Sequence, residues 1–331
     1  MTSGDRQSLG VILEEKAAEA LKFYTANYDT LVWQGLQPGN RLPKLGSKPQ
    51  ICRFCDRTRH EVTFRKKAHA VPELIGNKTL VTLYECDDCN DRFSSFEDDF
   101  AKMTLGDRSV SRTRGKKSVP TLTATGKKSR IEHAPAGLVM KQYVDEGFIS
   151  IDEQASQLKI SYETQPFRPL GAYKCLAKMA YTLLPEVELP HFPELKAWLR
   201  EKDVTTKKVY GDGNHLCSMS FVPGPKPFPC PIVALLRRKT TVAAPYAMFF
   251  VAFANWTYQI FVPCPRQDNA LAGKNIQIYL YPHFYQLQPW RALGAVQVKN
   301  TDLSDPERRA EPKKINLHFD SMTSADSNRQ A

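Results

Sequence analysis

Two cysteine pairs, CRFC at 52–55 and CDDCN at 86–90, constrain the fold more strongly than any other part of the sequence. The 30 residues between them, 56–85, form an insert that a shared metal ion would close into a loop. Four thiolates in two CxxC pairs suit the tetrahedral coordination of Zn²⁺. We therefore predict a structural zinc site whose ligands are Cys52, Cys55, Cys86 and Cys89.

Any chemistry must come from residues other than the cysteines, because four thiolates leave no open position on a zinc ion. His69, within AHAVPE at 68–73, is the candidate in the insert. The pattern predicts a strand, a loop and a second strand, followed by a helix that begins at Cys89. The zinc would hold this unit together.

The run from CRFC through TFRKKAHAVPELIGNKTL to YECDDCNDRFSSFEDDFAKM resembles the HNH, or ββα-metal, endonucleases. The likeness is to their zinc-stapled subgroup, in which CxxC pairs flank an H-x-x-P motif and Asn follows the last cysteine. It extends over about residues 50–130. The resemblance implies hydrolysis of phosphodiester bonds, most often in DNA, in restriction, defence or mobile-element biology.

The same resemblance implies roles for particular residues. His69 would be the general base that activates water, a task that suits an imidazole because its pKa lies near neutral pH. Asn90 would be a ligand of a catalytic Mg²⁺ or Mn²⁺ ion, which prefers hard oxygen donors. Asn77 is a candidate for the middle Asn of the motif, with bracing of its loop as the alternative.

One position departs from the family pattern. Many members carry Asp, Glu or His just before the base as a second metal ligand, and this chain has Ala68. Either another acid substitutes, or the metal is bound weakly, or the site is inactive. The candidate substitutes are Glu73, which we take as the tentative ligand, and Asp91, Glu97, Asp98 and Asp99.

Positive charge is concentrated directly after the predicted nuclease helix. Residues 101–130 contain nine Lys or Arg and one acid. Such side chains contact phosphates without reading sequence, so this stretch predicts a nucleic-acid track, with a solvated basic loop as the alternative. The residues predicted to bind nucleic acid are Arg108, Arg112, Arg114, Lys116, Lys117, Lys127, Lys128 and Arg130.

The whole chain is predicted to be an α+β protein. We divide it into an N-terminal helix and linker at 1–49, the nuclease module at 50–100, a basic extension at 101–165, a helix-and-sheet domain at 166–300 for targeting or regulation, and a flexible tail at 301–331. A helical pattern begins in 9–35, and helices are expected at 168–184 and 193–202. Strands are expected at 215–222, 232–238, 247–253, 256–262 and 276–281.

Composition limits the function classes. The chain has 331 residues, 42% of them hydrophobic, and a net charge of +11, so wholesale disorder is excluded and a polyanionic partner is favoured. No signal peptide or membrane span is evident, so we expect a cytoplasmic protein with no membrane partner. In that reducing setting Cys175, Cys217, Cys230 and Cys264 are expected to be buried apolar residues.

Three functions remain open at this point. The first is a metal-dependent HNH endonuclease with DNA, or RNA, as its partner. The second is a catalytically impaired zinc protein that only binds DNA, motivated by Ala68. The third is a zinc module for protein–protein interaction. The C-terminal domain could in addition bind a partner protein or a second copy of the chain.

Overall fold

The computed structural model describes residues 15–40, 42–47, 50–124, 128–135, 137–143, 146–201, 215–239, 242–271, 274, 276–282 and 295–321. Lys127 lies outside these ranges. The helices are α1 (Glu15–Asn27), α2 (Asp87–Met103), α3 (Leu105–Val110), α4 (Pro169–Leu183), α5 (Pro193–Arg200) and α6 (Pro265–Asp268), with 3₁₀ turns at Glu73–Ile75, Glu186–His191 and Asn269–Leu271.

The strands are β1 (Tyr28–Gly35), β2 (Ala68–His69), β3 (Val81–Thr82), β4 (Leu122–Thr123), β5 (Arg130–Ala134), β6 (Gly137–Lys141), β7 (Ile149–Asp152), β8 (Gln157–Glu163), β9 (Leu216–Phe221), β10 (Phe228–Arg238), β11 (Ala247–Ala254), β12 (Trp256–Val262), β13 (Gln297–Asp302) and β14 (Pro312–His318). Every pairing between these strands is antiparallel, which confirms the α+β class. No helix in the described ranges has both the length and the apolar character to cross a membrane.

The predicted strand–loop–strand–helix unit is present at the zinc-binding segment. Ala68 pairs with Thr82 and His69 with Val81, so β2 and β3 form a short hairpin ahead of α2. Helix α2 begins at Asp87, two residues before the predicted start, because Cys86 takes the N-cap position in an extended conformation. Its apolar residues recur at three- and four-residue spacing and are buried: Cys89, Phe93, Phe96, Phe100 and Met103.

Helix α4 is buried on all sides. All of its residues from Pro169 to Leu183 are inaccessible, so it has no solvent-facing stripe of the kind a surface helix carries. It packs against α2 on one side and against β11 and β12 on the other. A single apolar core therefore runs from the cysteine segment through α4 to the sheet, across the division we predicted between the nuclease module and the C-terminal domain.

The large sheet lies beneath α4 and has the strand order β1-β10-β11-β12-β9-β13. Along its central strand β11, Phe249, Val251 and Phe253 face the α4 side. The intervening Met248 and Phe250 join clusters on the opposite side, as the two-residue period of a strand requires. The predicted hairpin at 254–255 is confirmed, since β11 turns directly into β12.

A smaller β region follows α3. Two three-stranded sheets, β4-β5-β6 and β14-β8-β7, enclose a separate apolar cluster that includes Ile131, Phe148 and Ile160. The stretch predicted as a basic extension is thus a folded unit with its own core, and some of the basic residues of the stretch lie on its strands.

Three sequence-based expectations differ from the structure. The helical pattern of 9–35 ends at Asn27, and the chain continues as the edge strand β1. Residues 301–331 are not simply a flexible tail, because β13 adds to the edge of the large sheet and β14 pairs with β8. These strands were not predicted from the sequence, because they lie at sheet edges and most of their side chains are polar and face solvent.

The third difference concerns 276–281, which is not a strand. Its backbone is bonded by a side chain instead of by a neighbouring strand. The Tyr281 N–H donates to Gln259 Oε1 at 2.6 Å, and Gln259 Nε2 donates to the Tyr279 carbonyl at 3.1 Å. The aromatic residues of this segment pack across the sheet face beside α1.

Candidate active site

The four cysteines of the two pairs converge on one point. Their Sγ atoms all lie within 4.8 Å of one another, and in the described part of the chain no other group of three or more His, Cys, Asp or Glu side chains converges this closely. The Arg57 Nε donates to Cys55 Sγ at 3.4 Å. The donor set therefore fits the predicted structural Zn²⁺. The remaining cysteines are buried apart from it, as expected: Cys175, Cys217, Cys230 and Cys264.

His69 lies at the end of β2 with its side chain mostly buried, 10% exposed. Its Nδ1 is 3.9 Å from Glu73 Oε2, and its Nε2 is a buried atom with no hydrogen-bond partner among the described residues. Burial lowers the pKa of His69 to about 4, against an opposing effect of the Glu73 carboxylate. The imidazole is therefore neutral near pH 7 and holds a lone pair that can accept a proton.

A cleft of about 420 Å³ opens beside His69. Asn90 and Glu97 reach it from α2, seven residues apart and so on one face of the helix. Glu73 reaches it from the turn after β2. The structure thus gathers the three residues predicted for the site, His69, Asn90 and Glu73, and adds Glu97 to them.

The structure separates the acids that could replace the missing ligand at Ala68. Asp91 pairs with Lys66, and Asp98 pairs with Lys102 on the exposed side of α2. Asp99 is buried and accepts a hydrogen bond from the Arg168 backbone N–H at 3.0 Å. Only Glu73 and Glu97 of the five line the cleft.

The pKa of Glu97 responds to its surroundings in the cleft. Burial raises the pKa of Glu97, and the nearby Glu73 raises it further, against the effect of Lys178. Two half-buried acids with an amide oxygen beside them are a hard donor set of the kind that Mg²⁺ or Mn²⁺ prefers. Glu73, Glu97 and Asn90 therefore fit a catalytic divalent ion by their chemistry.

Asn77 braces the loop between β2 and β3. Its Nδ2 donates to the carbonyls of Val71 and Leu80 at 2.6 and 3.0 Å. Its Oδ1 accepts from the backbone N–H groups of Thr79 and Leu80. All four bonds return to its own loop, and the side chain is fully buried, so Asn77 has the bracing arrangement and not that of a cleft residue.

The predicted basic track is divided by the fold. Arg108, Lys116 and Lys117 line the cleft. Arg112, Arg114 and Lys128 are exposed but do not line it, and Arg130 is paired with Glu132 at 2.9 Å. Arg108 is buried, with Nε donating to Thr104 Oγ1 at 3.1 Å and Nη2 to the Ala101 carbonyl at 2.7 Å, so it is a fixed cation and not a flexible surface residue.

Two residues that line the cleft, Lys67 and Glu97, were not singled out from the sequence. Lys67 lines the cleft, and its position two residues before His69 was the available signal. Glu97 was one of four acids placed behind the preferred Glu73 as candidates for the metal ligand, and its seven-residue spacing from Asn90 could have singled it out.

Residues 52–105 match the model of a protein family described as an HNH endonuclease. The matched segment contains the four cysteines, the β2–β3 hairpin and the whole of α2. This segment is therefore an HNH endonuclease module, and its converging cysteines are consistent with the zinc-stapled kind. No curated protein and no solved structure matches the chain.

Replacement of Cys86 by Ser is expected to remove the zinc and to lower the unfolding temperature. The reason is that binding of a structural zinc contributes roughly 10 kcal/mol or more to folding of such small sites. Metal analysis and thermal melting measure both effects. Cys230→Ser makes the same chemical change outside the cluster and should leave zinc stoichiometry intact. A Cys86→Ser protein with full zinc and unchanged melting would contradict the structural-zinc assignment.

Proposed function

We propose that this protein is a metal-dependent endonuclease that hydrolyses phosphodiester bonds in DNA. The observation that supports this best is the shared cleft, where a neutral imidazole, two carboxylates and an amide lie beside four cationic side chains. A general base and hard oxygen donors suit water activation and metal binding, and cations suit a phosphate backbone. The setting that we propose, restriction, defence or mobile-element biology, rests on the family resemblance alone.

His69 acts as the general base in this proposal. Because its pKa is low, the ring is unprotonated at neutral pH and can take a proton from the attacking water. Its strand is short, but the Ala70 N–H donates to the Leu80 carbonyl at 3.2 Å and extends the pairing past the base. Glu73, close to Nδ1, orients the ring.

Asn90, Glu73 and Glu97 hold the catalytic divalent ion in this proposal. When bound, such an ion stabilises negative charge on the scissile phosphate and on the leaving oxygen. Glu73 has one further contact, because Lys78 Nζ is 3.4 Å from its Oε1. The same Lys78 Nζ donates to the Gly115 carbonyl at 2.6 Å. Lys78 thereby links the loop after α3 to the acid beside the base.

The cations at the cleft supply phosphate contacts. Lys67 precedes the base, and Lys116 and Lys117 are exposed on the loop after α3. These side chains recognise backbone charge, so the predicted binding is sequence-independent and applies to RNA as well as DNA. Binding of a partner protein or a second copy through the C-terminal sheet stays a prediction.

Two other functions are distinguished by experiment. A zinc protein that binds DNA without cutting it would use the same cations but would lack a working base or metal. A protein–protein interaction module would need neither the cations nor a working base and metal. The tests that follow separate the three.

Substitution of His69 by Ala is expected to reduce nicking of plasmid DNA, in Mg²⁺ or Mn²⁺, by about 10²- to 10⁴-fold, the range usual for loss of a general base. DNA affinity should be unchanged. His60→Ala, a nearby histidine that does not line the cleft, is the control. If the wild type and His69→Ala both bind DNA and neither nicks it above background, the non-catalytic binding function replaces the proposal.

The metal-ligand role of Glu97 is tested against its neighbour Asp98. Glu97→Gln should raise the Mn²⁺ concentration for half-maximal cleavage at least about tenfold, since even outer-shell changes cost that much. Asp98→Asn, on the exposed side of the same helix, should leave it unchanged. Equal metal requirements in the two variants would remove Glu97 from the ligand set.

Neutralising Lys116 and Lys117 together, as Gln, is expected to weaken DNA binding and to flatten its dependence on salt. Each lost phosphate contact should reduce the slope of log affinity against log salt by about 0.9. Lys159 and Lys314, exposed on the small β region away from the cleft, make the matched double control. An unchanged affinity and slope would favour the protein-interaction module.

A further inference from the structure

A buried lysine from the C-terminal part of the chain contacts the strand of the proposed base. Lys178 lies on α4, and its side chain is 2% exposed. Its Nζ is 2.8 Å from Glu85 Oε2 and 3.3 Å from the backbone carbonyl of His69, to which it donates. Glu85 directly precedes the zinc ligand Cys86 and is itself fully buried. One ammonium group thus joins α4, the second cysteine pair and the strand of His69.

This group carries its charge inside the protein. Burial alone would lower the pKa of Lys178, but the carboxylates of Glu85 and Glu97 outweigh that effect, and the pKa is raised. The ammonium also faces the ring of Phe93 at 5.7 Å. Lys178 is therefore a fixed cation beneath the cleft. Its charge opposes the rise in the pKa of Glu97, which lines the cleft.

Stability does not account for this pair. Replacing a buried ion pair by apolar side chains of similar size is often neutral or stabilising, because desolvation offsets the attraction. What an apolar pair could not supply is the hydrogen bond to His69. That strand is two residues long, so it has few backbone bonds of its own to hold the imidazole in place.

We propose that Lys178 is a positioning residue for the nuclease site, which holds the His69 backbone through its carbonyl and so makes catalysis depend on the seating of α4 against the module. The inference rests on the proposed function. Lys178 does not line the cleft and touches no reacting group, so it acts through other residues, by its hydrogen bond to the His69 carbonyl and by its charge near Glu97. A shift of the base by about 1 Å can cost 10²-fold in rate without changing substrate affinity.

The chain provides a matched control one turn earlier on the same helix. Lys174 is as deeply buried as Lys178, and its Nζ donates to the Trp198 carbonyl at 3.1 Å. It therefore directs a buried amino group of the same helix to the backbone carbonyl of a different residue. Lys174→Met tests whether any buried lysine of α4 is needed for activity.

The decisive variant is the double substitution Lys178→Met with Glu85→Met, which removes both charges and leaves none unpaired. We expect it to keep one zinc per chain, its melting temperature and its DNA affinity, with kcat at least tenfold lower and KM unchanged. The amide of Ala70, next to His69, should exchange its hydrogen faster, while amides in α2 should not change. Lys174→Met should retain wild-type kcat.

A stable double variant with wild-type kcat and wild-type exchange at Ala70 would overturn the inference, because Lys178 would then serve only to balance Glu85. If the double variant does not fold, the single variant Glu85→Gln becomes the test of the inference. That variant keeps the bond from Lys178 to His69, so near wild-type kcat supports the inference and a tenfold loss overturns it. If the wild type does not cleave DNA, the proposed function fails, and exchange at Ala70 still reports whether Lys178 holds the strand.

Discussion

The burial of α4 on both of its sides is the constraint on which the rest of the structure depends. An apolar helix without a solvent face must be covered completely, and here α2 covers one side and the large sheet the other. The nuclease module and the sheet therefore share one core. A zinc-stapled module of this size has little apolar surface of its own, and α4 supplies the partner for the phenylalanines of α2.

Hydrogen bonds and an ion pair reinforce that packing at the C-terminus and near the middle of α4. Arg53, within the first cysteine pair, donates to the carbonyls of Tyr181, Thr182 and Leu184 at 2.8–3.2 Å. These carbonyls are at the helix C-terminus, where a cation is favoured by the unpaired oxygens and the helix dipole. Near the helix middle, Lys178 reaches the second cysteine pair through Glu85. Both cysteine pairs are thus anchored to the same helix.

The cleft combines charges of both signs, and their placement suits the metal and the polyanion of the proposed function. The acids Glu73 and Glu97 lie beside His69, and the cations that line the cleft come from neighbouring loops and from α3. A divalent ion is drawn to the acids and a phosphate chain to the cations. The two ligands would then meet at the imidazole, whose low pKa keeps it available as a base.

The spacing of residues along the chain was sufficient to predict which cysteines converge and that His69 and Asn90 lie together. The CxxC pairs, His69 and Asn90 follow from a contiguous stretch, because short-range turns and one helix place their side chains. Most strands of the sheet were also predictable, since β11 and β12 carry long runs of β-branched and aromatic residues. The segment 276–281 had the same composition and was not a strand, because a side chain, Gln259, satisfies its backbone.

The sequence by itself predicted the four cysteines that converge, the candidate base His69 and the ββα order, since each depends on residues close together in the chain. Only the tertiary structure decided which acid faces the base, that Arg108 is held at the cleft, that 297–302 and 312–318 complete sheets, and that Lys178 lies under His69. These facts depend on contacts between residues far apart in the chain, such as the pairing of Gln157 with His318 and the bond from Lys178 to His69. Such contacts arise from how the helices and sheets pack, and no local pattern of residues encodes them.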